Sequence, residues 1–149
     1  MRVKDAMSGP LVTIQHDTTA ASAWAVMGEE QVRHLPVLDA HRRLIGMLTD
    51  RDFRRVVLER CQREDPEQLR ARLAELRVDE IMTWAVVTVT ADRDIRDAAR
   101  IMRDYEVGAL PVIDAGVVVG VLTATDVICA ALELPSDRSR RSNRGPKHS

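Results

Sequence analysis

Residues 3–54 and 78–128 repeat one another at an offset of 75, which falls to 74 after a one-residue gap. Val3-Lys4-Asp5-Ala6-Met7 returns as Val78-Asp79-Glu80-Ile81-Met82, and Leu35-Pro36-Val37-Leu38-Asp39 as Leu110-Pro111-Val112-Ile113-Asp114. Gly46-Met47-Leu48-Thr49-Asp50-Arg51-Asp52 returns as Gly120-Val121-Leu122-Thr123-Ala124-Thr125-Asp126. About a third of the aligned positions are identical, far beyond chance at one register. A repeated unit this small is expected to bury its core against its twin, with a pseudo-symmetric cleft between the halves as the place to look for function.

At 149 residues the chain is long enough to bury a real core. The repeat divides it into repeat one (1–60), an inserted inter-repeat helix (61–77), repeat two (78–134) and a basic tail (135–149). Charge is balanced, 22 basic against 23 acidic residues, so no general affinity for polyanions is implied. The imbalance lies at the end, where Arg138, Arg140, Arg141, Arg144 and Lys147 face only Asp137. From Ser136 on, Pro146 is the one apolar residue, so the tail is expected to be disordered. It is either a plain solvated tail or a segment touching nucleic acid or a ligand phosphate. With one Phe, one Tyr and two Trp, the chain is poorly equipped for base stacking, and nucleic acid is not an expected partner.

Apolar stretches such as residues 117–121 fall far short of the roughly 20 residues that span a bilayer, and no secretory h-region opens the sequence. Cys61 and Cys129 stand outside any CxxC pair and are expected to be reduced thiols packed on helices. A cytoplasmic protein without membrane contact is expected.

Each repeat reads as β-α-β-β-α, which makes the fold class α/β. In repeat one the pattern predicts strand 11–14 and a helix capped by Thr18 or Thr19 that runs to Gln31, with Ala20, Ala23, Trp24 and Met27 at helical spacing. Strand 35–38 follows, its early proline tolerated at a strand start or edge. A turn at 39–42, strand 44–48 and helix 49–60 complete the repeat. Repeat two predicts strand 86–89, helix 94–105, strand 110–113, a turn at 114–116, strand 117–122 and helix 123–134. Asp65-Pro66-Glu67 opens the inserted helix with a cap, a first-turn proline and acidic charge. Its Leu69, Leu73 and Leu76 line one face, expected to pack on the body or on a second subunit.

The chemistry sits in Gly46-x-Leu48-Thr49-x-x-Asp52 and Gly120-x-Leu122-Thr123-x-x-Asp126, each where a strand passes into a helix. First-turn N–H groups are unpaired and, with the helix dipole, attract phosphate. A threonine there can cap the helix and donate to a phosphate oxygen. The aspartate can accept hydrogen bonds from the vicinal hydroxyls of a ribose. T-x-x-D is also a plain capping box, worth about 1 kcal/mol of helix stability. Duplication after an identical Gly-x-Leu strand favours the nucleotide site.

On the Met7 and Met82 lead-ins, the Leu-Pro-Val-x-Asp segments and the two Gly-x-Leu-Thr-x-x-Asp segments, residues 3–132 resemble a tandem pair of cystathionine β-synthase (CBS) domains, a stand-alone Bateman module. The resemblance implies two β-α-β-β-α repeats packed with pseudo-two-fold symmetry and usually paired into a homodimer. The helices around residues 24–27 and 53–58, or their repeat-two counterparts, would form that interface. It implies a regulatory module that binds an adenosine-containing ligand (AMP, ADP, ATP, S-adenosylmethionine or NAD) and signals to an unidentified protein target, with no required cofactor.

Carried over residue by residue, one site combines Thr123 and Asp126 with residues 7–12, including Val12, and with Val32, Arg33 and His34. The other combines Thr49 and Asp52 with residues 82–87, including Val87, and with Val107, Gly108 and Ala109. Arg33 and His34 are the cations of this set; in the resemblance such residues reach ligand phosphates, where charge-assisted bonds are strong. The alternative reading of Arg33 and His34 is as exposed strand-edge residues. Arg51 either serves a phosphate or pairs with Asp50 or Glu29, and Trp84 either covers an adenine or packs. A ligand-free interaction module, with T-x-x-D serving only as helix caps, is the alternative function.

No P-loop or HExxH motif occurs, and His16, His34, His41 and His148 are scattered, so no metal site is expected. Ser8, Ser22 and Ser136 lack a nucleophile elbow, and no acid/base pair stands apart from the ribose motif. The chain is not expected to be an enzyme.

Overall fold

The computed structural model describes residues 1–7, 10–60, 63–84 and 86–134. The expected disorder of the tail and the packing expected of Cys61 lie outside the described residues. In chain order the elements begin with α1 (Val3–Ala6), β1 (Ile14–Gln15), α2 (Ala20–Glu30), β2 (His34–Leu38), β3 (Leu44–Thr49), α3 (Asp50–Arg60) and α4 (Pro66–Glu75). They continue with α5 (Val78–Ile81), β4 (Thr83–Trp84), β5 (Val89–Thr90), α6 (Ile95–Tyr105), β6 (Ala109–Asp114), β7 (Val117–Thr123) and α7 (Ala124–Ala131).

The chain forms two compact units, Val12–Val86 and Met1–Leu11 with Val87–Ser149. Each unit takes the opening segment of one sequence repeat and the body of the other. Val3 of α1 is fully buried among Val89, Ala98, Leu110, Val112 and Leu122 of repeat two. Val78 and Ile81 of α5 are buried among Ala20, Leu35, Val37, Leu48 and Phe53 of repeat one. Backbone hydrogen bonds tie both exchanges: Val3 N donates to Arg93 O at 2.8 Å and Val78 N to Thr18 O at 2.8 Å, at equivalent repeat positions.

In Val12–Val86 the sheet order is β1-β2-β3-β4, and in the other unit it is β5-β6-β7. The first pairing of each sheet is parallel and the rest are antiparallel. The repeat extends to an irregularity. The ladder slips between Val37 and Leu38 opposite Ile45, and between Val112 and Ile113 opposite Val119, one residue before the motif glycine in each case. Such bulges bend and twist a strand locally.

The helix starts follow the sequence. Thr19 caps α2 through Ser22 N, Asp94 caps α6 through Arg96 N, and Asp65 caps α4 through Gln68 N with Pro66 in the first turn. Leu69, Leu73 and Leu76 of the inserted helix pack against the core of Val12–Val86. The strands expected at 11–14 and 86–89 shift to Ile14–Gln15 and Val89–Thr90, because only those residues find register against Val37-Leu38 and Val112-Ile113. Helix α7 ends at Ala131. The short α1, α5 and β4 were not anticipated.

Candidate functional site

The two T-x-x-D segments stand where β3 enters α3 and where β7 enters α7. Both aspartates are buried, the only buried charged side chains among the described residues. Thr123 N donates to Asp126 Oδ2 at 2.9 Å and Asp126 N donates to Thr123 Oγ1 at 3.1 Å, a reciprocal capping box. Thr49 donates to Asp52 Oδ2 through its N–H at 2.8 Å and its hydroxyl at 3.3 Å. The capping alternative is therefore realised in the geometry. It does not exclude ligand binding, because a carboxylate offers about four acceptor positions.

The preceding segments are strapped to the same helix starts. Asp50 N donates to Arg33 O at 3.2 Å and Ala124 N to Gly108 O at 2.9 Å, again at equivalent positions. His34 pairs with Thr49 and Ala109 with Thr123 across the ladders. Beneath each motif a methionine from the exchanged segment crosses the motif glycine. A Cβ built on Gly120 would lie 2.8 Å from Met7 Sδ, and one built on Gly46 would lie 2.5 Å from Met82 Sδ. Glycine at these positions admits a side chain from the other sequence repeat.

In Met1–Leu11 with Val87–Ser149 the structure brings together Thr123, Asp126, Gly108 and Met7. Val107 stands beside them, half-exposed, with its N–H on Met102 O, and Val87 packs on the core. In Val12–Val86 it brings together Thr49, Asp52, Arg33, His34 and Met82; Val32 is buried and Val12 partly buried against that core. Val12, Val32, Arg33 and His34 thus share a compact unit with Asp52, and Val87, Val107 and Gly108 share one with Asp126.

Asp50 pairs with Arg54 at 3.1 Å, so it is not the partner of Arg51, which is exposed. Trp24 is more than half exposed and meets the buried Phe53 edge-on, ring centroids 4.9 Å apart. Trp84 is exposed at the sheet edge and donates through Nε1 to Asp79 O at 3.2 Å.

One neighbour of the motif aspartates escaped the sequence reading. Arg55 Nη2 donates to Asp52 Oδ1 at 3.2 Å and to Ile81 O at 2.8 Å. The signal was present as an arginine three residues past the aspartate on one helix face. Repeat two has the uncharged Cys129 there. Burial pushes the Asp52 carboxyl above the ordinary carboxylate range, against the Thr49 N–H and the Arg55 guanidinium, which favour the ionised form. A second cluster joins α5 to the turn after β1: Asp79 Oδ2 lies 2.9 Å from His16 Nδ1 and accepts from Arg77 Nη2 at 2.5 Å. Partial burial raises the Asp79 carboxyl, but the bonds from His16 and Arg77 together outweigh it and hold it below the ordinary range.

A duplicated α/β unit with a buried Thr-x-x-Asp cap at each strand-to-helix junction defines a tandem module of the CBS type. The CBS domain family model matches residues 3–59 and 78–133, and the chain belongs to that family. A CBS domain-containing protein of Dictyostelium discoideum is 35% identical over 127 residues, covering 85% of this chain and 88% of that protein. The chain spans only 24% of the inosine-5'-monophosphate dehydrogenase of Aquifex aeolicus, to which it is 30% identical. The CBS domain pair of protein MJ0100, solved with 5'-methylthioadenosine and S-adenosyl-L-methionine, superposes with a TM-score of 0.75 at 25% identity, over 89% of this chain and 97% of that one. CBSX2 in complex with AMP superposes with a TM-score of 0.70 at 29% identity, over 89% and 96%.

Proposed function

We propose that the chain is a regulatory module that binds an adenosine-containing ligand, AMP, ADP, ATP, S-adenosylmethionine or NAD, with Asp126 accepting from the ribose hydroxyls. The buried Thr123–Asp126 cap carries this proposal. It holds a carboxylate and a hydroxyl at the first turn of α7, where N–H groups and the helix dipole favour a phosphorylated ligand. The adenosine compounds held by the CBS pair of MJ0100 and by CBSX2 support that class of ligand. Arg33 and His34 are proposed to meet a ligand phosphate from beside Thr49 and Asp52, whose unit they share. The module acts by bound ligand shifting a conformational equilibrium read by a protein target, which requires different affinities for the two conformations. No catalytic step is assigned to it. The isolated cysteines fit a cytoplasmic setting, and no described helix is long and apolar enough to cross a membrane.

A thermal-shift screen with AMP, ADP, ATP, adenosine, S-adenosylmethionine, NAD and GTP tests the proposal. A ligand specific to the folded state at about a hundredfold excess over Kd adds about 2.7 kcal/mol. A rise with an adenosine ligand that disappears in Asp126→Ala is expected. Absence of any rise would favour the second reading, a ligand-free homodimerisation module. The exposed Trp24, Val57 and Leu58 on α2 and α3 favour that reading.

A further inference from the structure

The first turn of α3 carries two carboxylates, Asp50 and Asp52, and Arg33 and His34 lie against that same helix start. A helix N-terminus favours an anion, but ionised carboxylates in its first turn repel one. Each carboxylate is matched by a guanidinium one turn further along α3. Arg54 Nη2 lies 3.1 Å from Asp50 Oδ2, and Arg55 Nη2 lies 3.2 Å from Asp52 Oδ1. The two pairs differ in depth: the Asp50 side chain is 22% exposed and that of Asp52 only 4%, so the Asp52 charge is the less screened by solvent and salt. The Asp52 pair is also held from outside the helix. Thr49 fixes Oδ2 through its N–H and hydroxyl, and Arg55 Nη2 donates a second time, at 2.8 Å, to the Ile81 carbonyl at the end of α5.

We propose that Arg55 is a positioning residue that holds and neutralises the Asp52 carboxylate, so that the start of α3 admits a ligand phosphate. This rests on the phosphate contact proposed for Arg33 and His34. With Arg55 in place, residues 50–55 set three guanidiniums against two carboxylates. Without it, a buried anion stands uncompensated in the turn that the phosphate approaches. Arg55 acts through Asp52, so the harm done by losing Arg55 is repaired by removing the Asp52 charge.

Isothermal titration of the full chain with AMP and with adenosine, in a double-mutant cycle of Arg55→Gln and Asp52→Asn, tests this. Arg55→Gln is expected to weaken AMP about fivefold or more and adenosine little. Asp52→Asn should bind AMP as well as wild type or better, and the double variant should bind it as Asp52→Asn does. Arg55→Lys, which keeps the charge, should recover most of the loss. A loss that persists undiminished in the Asp52→Asn background would make Arg55 a direct phosphate contact, and equal losses for AMP and adenosine would make it a merely structural residue. Either result, or full AMP affinity in Arg55→Gln, would overturn the proposal. Wild type that binds adenosine as tightly as AMP, with Arg33→Ala changing neither, would instead refute the phosphate contact, and the proposal with it; binding of neither ligand refutes the adenosine reading as well. Should Arg55→Gln fail to fold, Asp52→Asn decides alone: a fall in its affinity for AMP relative to adenosine contradicts the neutralising role.

Discussion

Gly46 and Gly120 occupy one repeat position, yet alanine there should have unequal consequences. Neither glycine has positive φ, so the effect is one of space. A Cβ on Gly46 would stand 2.5 Å from Met82 Sδ, 2.9 Å from Met82 Cε and 2.8 Å from the Thr83 carbonyl oxygen. On Gly120 the nearest atoms are all of Met7, Sδ at 2.8 Å and then Cε at 3.6 Å. A thioether adapts by changing rotamer. The Thr83 carbonyl is held by the pairing of β3 with β4 and can yield only if that edge shifts. Overpacking of this kind costs about 1–3 kcal/mol, while Gly→Ala stabilises by about 0.4–1 kcal/mol through the unfolded chain where the backbone permits it. Gly46→Ala should therefore lose about 1–3 kcal/mol, and Gly120→Ala should be near neutral, within about 1 kcal/mol. Urea unfolding followed by far-UV circular dichroism, with m checked for constancy, measures both. A Gly120→Ala loss equal to or larger than that of Gly46→Ala would refute the assignment of the carbonyl as the hard obstacle.

Arg33→Ala should weaken AMP about tenfold or more while changing adenosine little, as expected for loss of a charge-assisted phosphate contact; equal losses by calorimetry would remove Arg33 from the phosphate. Leu35 and Leu110 are fully buried at equivalent positions, so each alanine variant should lose about 2–5 kcal/mol, and a clear difference in urea midpoints would show that the cores are not equivalent. Asp79, held below its ordinary value of 3.8, stabilises the fold above that pH, and the contribution fades as pH falls through the depressed value. The stability gap between wild type and Asp79→Asn should accordingly narrow below about pH 3.8; a gap that widens on acidification would reverse the sign assigned to the His16–Asp79–Arg77 cluster. Leu58→Glu, on the exposed face of α3, should shift the chain toward monomer in sedimentation velocity if the proposed homodimer uses that face.

Much of the fold is written in local chemistry. Thr19, Asp65 and Asp94 are caps that act within one turn, so the starts of α2, α4 and α6 are visible in the sequence. The strands around Leu35-Pro36-Val37 and Leu110-Pro111-Val112 are apolar runs buried on both faces, and they emerge with nearly the expected limits. Strands β1, β4 and β5 have two residues each, and their existence depends on a partner strand that no local pattern reports. The exchange of α1 and α5 between repeats is invisible for a related reason. Val3 and Val78 announce that they will be buried but not in which half. Thr-x-x-Asp was legible as a candidate site because it was duplicated. Arg55 was not, because its meaning comes from the Ile81 carbonyl, twenty-six residues away in sequence.

The most direct test is affinity for a ribose ligand against its 2'-deoxy form, AMP against dAMP, in wild type and Asp126→Ala. Loss of a hydrogen bond to a charged acceptor removes about 1.5–3 kcal/mol, so wild type should bind dAMP roughly ten- to a hundredfold more weakly than AMP. The discrimination should vanish in Asp126→Ala. Equal wild-type affinity for the two nucleotides, or discrimination that survives the loss of the Asp126 carboxylate, would contradict its role as the ribose acceptor.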